Sequence, residues 1–129
     1  MDRKIISSAA FFGMTAIILG AFGAHALKKV LTIDQLATFE TGVKYQFYHA
    51  FALILLGFLG THFPKGDKSF KLAGLLFFIG IILFSGSLYL LSTQSILNIS
   101  IPFLGPITPI GGSLLIFGWL FTALGVLKK

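Results

Sequence analysis

The sequence predicts an all-α fold: a transmembrane four-helix bundle with a short amphipathic surface helix between spans one and two. Three observations predict it. The 129-residue chain is 56% hydrophobic and only 11% charged, against about 25% charged in an average soluble domain. Its uncharged stretches are long enough, at about 20 residues each, to cross the hydrocarbon core of a bilayer. Its bases fall in short clusters between those stretches, as bases flanking membrane spans do. A chain of this length is read as a single domain, residues 1–129.

The spans are placed at approximately 5–25, 45–63, 71–92 and 107–127. Ile5 to Ala24 carries no charge, and Tyr45 to Phe63 follows as the second crossing. Leu72 to Leu127 is uncharged throughout and too long for one crossing. It divides at Ser92-Thr93-Gln94-Ser95 and at Pro102, Pro106 and Pro109. Thr108-Pro109 reads as an N-cap followed by proline at the first helical position. Between spans one and two, Thr32-Ile33-Asp34-Gln35 forms a capping-box pattern. Ile33, Leu36, Ala37 and Val43 follow at helical spacing, and Glu40–Lys44 forms an i,i+4 pair. This segment is expected to lie at the membrane surface and to run into span two, with a bend at Gly42.

Orientation follows from the distribution of Lys and Arg. With four crossings, Arg3, Lys4, Lys65, Lys68, Lys71, Lys128 and Lys129 share one side, and only Lys28, Lys29 and Lys44 lie on the other. Both termini are therefore expected in the cytoplasm. Arg3-Lys4, the first apolar run and Ala24-His25-Ala26 imitate a cleaved secretory signal, but the run exceeds the usual signal core of about 7–15 residues, so a span is the preferred reading. The net charge of +6 is explained by topology and by attraction to anionic headgroups rather than by nucleic acid. There are no cysteines, which excludes disulfides, thiolate metal sites and cysteine nucleophiles.

Inside lipid the hydrophobic effect no longer draws helices together, so small residues that allow close approach carry the packing. Each span offers such residues at seven-residue spacing, the period of shallow left-handed crossings. Span one has Ala9, Ala16 and Gly23, flanked by Gly13 and Gly20. Span two has Ala50 and Gly57, span three Ala73, Gly80 and Ser87, and span four Gly111, Gly118 and Gly125.

The hydrogen-bonding side chains of the spans gather toward the extracytoplasmic third: His25, Tyr45, Gln46, Tyr48, His49, Ser85, Ser87 and Tyr89. His49 lies about 7–8 Å deeper than Lys44 at the helical rise and needs a partner or a wet cavity; His25 is the candidate partner. Two readings follow. In one, His25 and His49 line an outward-facing pocket for a small ligand, a metal ion or a proton. In the favoured one, these groups hydrogen-bond helices together, while Tyr45, Tyr48 and Tyr89 belong to the interfacial aromatic belt. His62 is read as interfacial. Trp119, too deep for the belt, is read as packing against neighbours or lipid without a role. No Asp or Glu lies within a span, and no H-E-x-x-H, Walker or nucleophile-elbow motif occurs. No enzymatic activity, cofactor or metal is therefore expected. Two histidines alone are weak grounds for haem. The expected partners are the lipid bilayer and either a second copy or another membrane protein.

The segments Gly20-Ala21-Phe22-Gly23-Ala24-His25, Thr41 to Leu53 (TGVKYQFYHAFAL), Phe84 to Leu91 (FSGSLYLL), Gly105 to Gly112 (GPITPIGG) and Gly118-Trp119 together resemble the family of domain of unknown function 423, which includes eukaryotic transmembrane protein 256. They occur in the family's order and touch all four spans. The resemblance implies an uncharacterised multi-span protein of a bacterial cytoplasmic membrane. It implies no activity, ligand or catalytic residue.

Overall fold

The computed structural model describes residues 2–129. Four long helices follow one another: α1 (Arg3–His25), α2 (Ile33–His62), α3 (Asp67–Leu97) and α4 (Leu104–Leu127), with single 3-10 turns at Leu27–Lys29 and Pro64–Gly66. All four are long and apolar enough to cross a membrane. No strand occurs among the described residues. Residues 2–4, 62–67 and 127–129 share one end of the bundle, here the terminal end; the other is the far end.

The helices pack in chain order, α1 on α2, α2 on α3 and α3 on α4. The principal core lies among α1, α2 and α3, where Ala9, Leu53, Leu56, Phe70, Ala73 and Phe77 are almost wholly buried. Outward-facing Phe11, Ile17, Ile116 and Phe117 are largely exposed, as hydrocarbon favours. The α3–α4 seam is a ladder of phenylalanine against glycine. Phe70, Phe77 and Phe84 recur every seven residues on α3 and meet Gly125, Gly118 and Gly111, which recur every seven on antiparallel α4. A Cβ on Gly118 would stand 2.5 Å from the Phe77 ring, and one on Gly125 2.5 Å from the Phe70 ring. At Gly111 it would meet the Phe84 backbone itself, so the two main chains touch there. Gly80 answers from α3 by receiving Leu115. Between α1 and α2 the same logic seats Ile6 at Gly57, Val43 at Gly20 and Phe39 at Gly23. Gly13 differs: nothing lies within 4 Å of where its Cβ would stand, so this glycine takes no part in close packing.

Helix length departs from the expected spans at the far end. α2 has 30 residues and α3 has 31, roughly 45 Å each at the helical rise, well beyond the hydrocarbon thickness of about 30 Å. The Thr32 capping box is present, with the Thr32 hydroxyl accepting from the Gln35 N–H. The segment it starts runs into span two as expected, and no break occurs at Gly42: Ile33–His62 is one continuous helix without proline. Its apolar face is satisfied within the protein: Leu36, Phe39 and Val43 pack on Leu27, Leu31 and Tyr89. Gln35 Nε2 donates to Ser95 Oγ at 3.1 Å, joining α2 to the projecting end of α3. Glu40 and Lys44 are both exposed and form no ion pair within 4.0 Å; water competes well for such surface charges.

The start of α4 is also corrected. The helix begins at Leu104, and Pro109 lies inside it. Thr108 is thus not its cap; its hydroxyl donates back to the Leu104 carbonyl at 3.3 Å. Pro106, at the third helical position, gives up an N–H that would have no intrahelical partner, whereas Pro109, at the sixth, forgoes the bond to the Gly105 carbonyl. The α3–α4 connection turns on Asn98, whose φ of 52° is left-handed, and on Gln94, whose Oε1 accepts from the Ile101 N–H at 2.9 Å. Asparagine is among the residues that tolerate that conformation at a helix C-terminus.

The glycine geometry separates two substitutions of equal chemistry. Gly111→Ala forces a methyl into the α3 backbone and should lower stability by about 1–3 kcal/mol. Gly13→Ala meets nothing and should leave stability unchanged or raise it by up to about 1 kcal/mol, the helix-propensity difference. Thermal unfolding of the two variants in one detergent checks this; equal losses would contradict the seam.

Candidate functional site

The polar side chains of the spans bond across helices in three layers. Nearest the far end, Ser85 Oγ donates to the Gly42 carbonyl of α2 at 2.7 Å, and Ser87 Oγ meets Thr108 Oγ1 of α4 at 2.7 Å. Gly42 is required for the first contact, since a Cβ there would stand 2.7 Å from the Tyr89 ring. The second layer is centred on Gln46, which is buried. Its Nε2 donates to the Phe12 carbonyl at 2.9 Å and to Thr15 Oγ1 at 2.7 Å, both on α1. Its Oε1 accepts from the Tyr89 hydroxyl of α3 at 2.6 Å. One amide thereby uses both donors and an acceptor to tie three helices.

The third layer is centred on His49, 4% exposed. Its Nδ1 lies 2.7 Å from the Tyr45 carbonyl one turn earlier. A carbonyl can only accept, so Nδ1 carries the proton. Nε2 then offers its lone pair, and the Trp119 indole N–H donates to it at 3.1 Å. The neutral tautomer is thus fixed by two partners, and neither ring nitrogen is left to bind a metal. Phe77 packs edge-on to both rings, at 5.2 Å from each centroid, and Tyr45 stacks on the imidazole at 6.2 Å. This layer lies about 12–20 Å from the terminal ends of α2, α3 and α4 at the helical rise, near the middle of the helices rather than in the third nearest the far end.

The structure therefore brings together six of the eight expected polar residues: Tyr45, Gln46, His49, Ser85, Ser87 and Tyr89. It leaves out two. His25 is exposed at the last turn of α1, while His49 is buried between α2, α3 and α4; the expected His25–His49 pair does not form. Tyr48 is 57% exposed and faces outward beside Tyr45, which is itself 41% exposed. Thr15, Thr108 and Trp119 complete the network and were not marked by the sequence. For Trp119 the one usable signal was physical: an indole N–H far from the interface must find an acceptor, and His49 is one of few at that depth.

Every buried side-chain nitrogen and oxygen among the described residues has a partner within the chain. The notable open volumes lie elsewhere. A groove of about 630 Å³ opens at the terminal end beside Asp2, Lys4 and Lys71, and an apolar one of about 410 Å³ faces outward between α1 and α2.

Gln46→Leu strands the Tyr89 hydroxyl, whose acceptor it removes, while Thr15 keeps its bond to the Phe11 carbonyl; the change should destabilise by about 1–3 kcal/mol. His25→Ala should leave stability unchanged. Unfolding of both variants in mixed micelles checks the contrast. Trp119 is the sole tryptophan, so its fluorescence reports the His49 bond directly. His49→Phe removes the acceptor and should shift emission to shorter wavelength; an unmoved spectrum would count against the bond.

Comparison with known proteins places this architecture among relatives. A family model described as "Protein of unknown function (DUF423)" matches residues 19–112. The UPF0382 membrane protein YwdK of Bacillus subtilis is 43% identical over 126 residues, covering 98% of each chain. A UPF0382 membrane protein of Staphylococcus saprophyticus is 40% identical over 128 residues, again covering 98% of each. One from Haemophilus influenzae is 35% identical over 129 residues, covering all of this chain and 98% of its own. No solved structure matches. With four apolar helices and relatives named as membrane proteins, the chain is a multi-pass membrane protein.

Proposed function

We propose, for a chain that belongs to the DUF423 family of proteins of unknown function, a non-enzymatic role as a structural or interaction component of the bacterial cytoplasmic membrane, with both termini in the cytoplasm. The observation that supports this reading is the closure of the polar interior. The side chains that would have to bind a ligand or relay a proton already satisfy one another. A transport or binding site needs a polar group held in reserve, and His49 and Gln46 have none. What the protein offers instead is surface. Phe11, Ile17, Ile18 and Phe22 of α1, and Ile116, Phe117 and Leu120 of α4, stand exposed on the two outermost helices. These faces suit lipid, a second copy or the helices of another membrane protein.

The orientation rests on the positive-inside rule. Arg3, Lys4, Lys65, Lys68, Lys71, Lys128 and Lys129 gather at the terminal end, and Lys28, Lys29 and Lys44 at the far end.

Two measurements test the reading. In-membrane crosslinking followed by native mass spectrometry should recover a defined oligomer or a stable membrane-protein partner; a monomer with no crosslinked partner in native-like lipid would overturn the interaction role. A reporter fused after Lys129 should be active only in the cytoplasm, and activity outside would reverse the orientation without touching the first result.

A further inference from the structure

The crevice between α1 and α3 is polar where it opens and apolar where it continues. At the terminal end the groove of about 630 Å³ is lined by the start of α1, the end of α2 and the start of α3. Lys4 and Lys71 also line the next stretch, about 240 Å³, which continues along Leu53, Leu75 and Phe78. Ser8 and Phe78 in turn border a third stretch of about 290 Å³, walled by Phe11, Phe12 and Ile82. The three share lining residues end to end and form one amphipathic channel on the lipid-facing side of the bundle.

Its charges are unevenly free. The Asp2 carboxylate is committed to capping α1, accepting from the Lys4 and Ile5 backbone N–H groups at 3.1 and 3.2 Å. The Asp67 carboxylate is committed to Lys71, at 2.9 Å. Arg3 and Lys4 make no ion pair among the described residues, and Lys65 and Lys68 stand exposed close by. The mouth is thus net cationic at the depth of the headgroups. From Lys71 to Ile82 the channel runs about 16 Å along α3 at the helical rise, close to half of a hydrocarbon core of about 30 Å. Charge at the mouth, apolar walls below and the length of one leaflet together describe the shape of a single phospholipid.

We infer that the α1–α3 channel binds one anionic phospholipid, its phosphate beside Arg3, Lys4 and Lys71 and an acyl chain along Phe12, Phe78 and Ile82. Placing that lipid in the cytoplasmic leaflet rests on the orientation proposed above; the site itself does not, because both leaflets of a reconstituted membrane can be given the same composition.

Native mass spectrometry of the full chain, released from nanodiscs of phosphatidylcholine and phosphatidylglycerol in equal amounts, reads the preference. One retained phosphatidylglycerol is expected, favoured over phosphatidylcholine by roughly tenfold, the order that basic side chains at a membrane surface supply. Lys4→Gln/Lys71→Gln should abolish that preference, with Arg3→Gln/Lys4→Gln as the second variant should the first fail to purify. Ser8→Phe fills the channel without changing charge and should release the lipid as well. Lys128→Gln/Lys129→Gln, at the same end but outside the channel, should retain it. An equal loss in that control would mean diffuse attraction and overturn the site. Undiminished retention in the channel variants would overturn it too. Displacement by millimolar inorganic phosphate would show a phosphate site with no role for the acyl chain, and would refute the lipid.

Discussion

Hydrocarbon offers no partner to a polar group, and the whole interior of this protein is arranged around that constraint. A glutamine, a histidine, an indole and a tyrosine hydroxyl all lie where water does not reach. Each would be costly alone. The structure pairs every one of them, and each has a bond across helices, His49 adding one to Tyr45 within its own helix. Gln46 is the clearest case, since its amide is, among the described residues, the one side chain of α2 that hydrogen-bonds both α1 and α3. Trp119 and His49 perform the same service between α4 and α2. Interhelical hydrogen bonds in membranes average only about 0.6 kcal/mol, so their number matters less to stability than their directionality. Apolar helix faces slide and rotate past one another with little penalty, whereas a bond from Trp119 to one nitrogen of one histidine fixes the rotation of both helices.

The apolar seams supply what the hydrogen bonds do not. The Phe70 and Phe77 rings sit against Gly125 and Gly118, so a large flat side chain fills the space a missing one leaves, while at Gly111 the α3 backbone at Phe84 itself makes the approach. The two systems are registered: Phe77, in the middle of the ladder, is also the ring packed against His49 and Trp119. Shifting α4 by one turn would break the ladder and the indole bond together. That coupling gives the seam a single register without any charge inside the membrane.

Much of the fold was legible because bilayer thickness is written into the spacing of charges. Four uncharged stretches gave four helices, and the seven-residue glycine periods on α4 marked a real packing face. What was illegible depended on depth as well as on rotation about the helix axis. His25 and His49 were close in the inferred topology, but Phe39 packs at Gly23 whereas Gln46 reaches Phe12 and Thr15, so His49 lies several turns farther from the far end than His25, because α2 begins at Ile33 rather than at Tyr45. Trp119 looked like one more large apolar residue because its partner lies 70 positions away. Gly13 shared the spacing of its neighbours yet faces open space, which is a matter of rotation. The segment after span one was read correctly as helical and as running into span two, and its capping box was visible; that the helix continues through Gly42 without interruption was not, and Leu27 and Leu31 folding back onto Phe39 is the contact that supports it.

The two ends of the bundle consequently differ in kind. At the far end, α2 and α3 project together, braced by the 26–32 turn and tied by Gln35 to Ser95, and polar groups there bond to one another. At the terminal end the helices splay enough to leave a groove whose walls are charged. Asp2 shows how this arises. Its N–H reaches the Gly57 carbonyl at 3.0 Å while its carboxylate caps α1, so the start of α1 is pinned to α2. Among the charged residues lining the remaining gap, Asp67 is paired with Lys71 and Asp2 is spent on the cap, which leaves Arg3 and Lys4 without an ion pair. A bundle that pairs its buried polar groups, yet leaves unpaired bases beside an opening that continues along apolar walls, has one place that an anion with an apolar tail would complete.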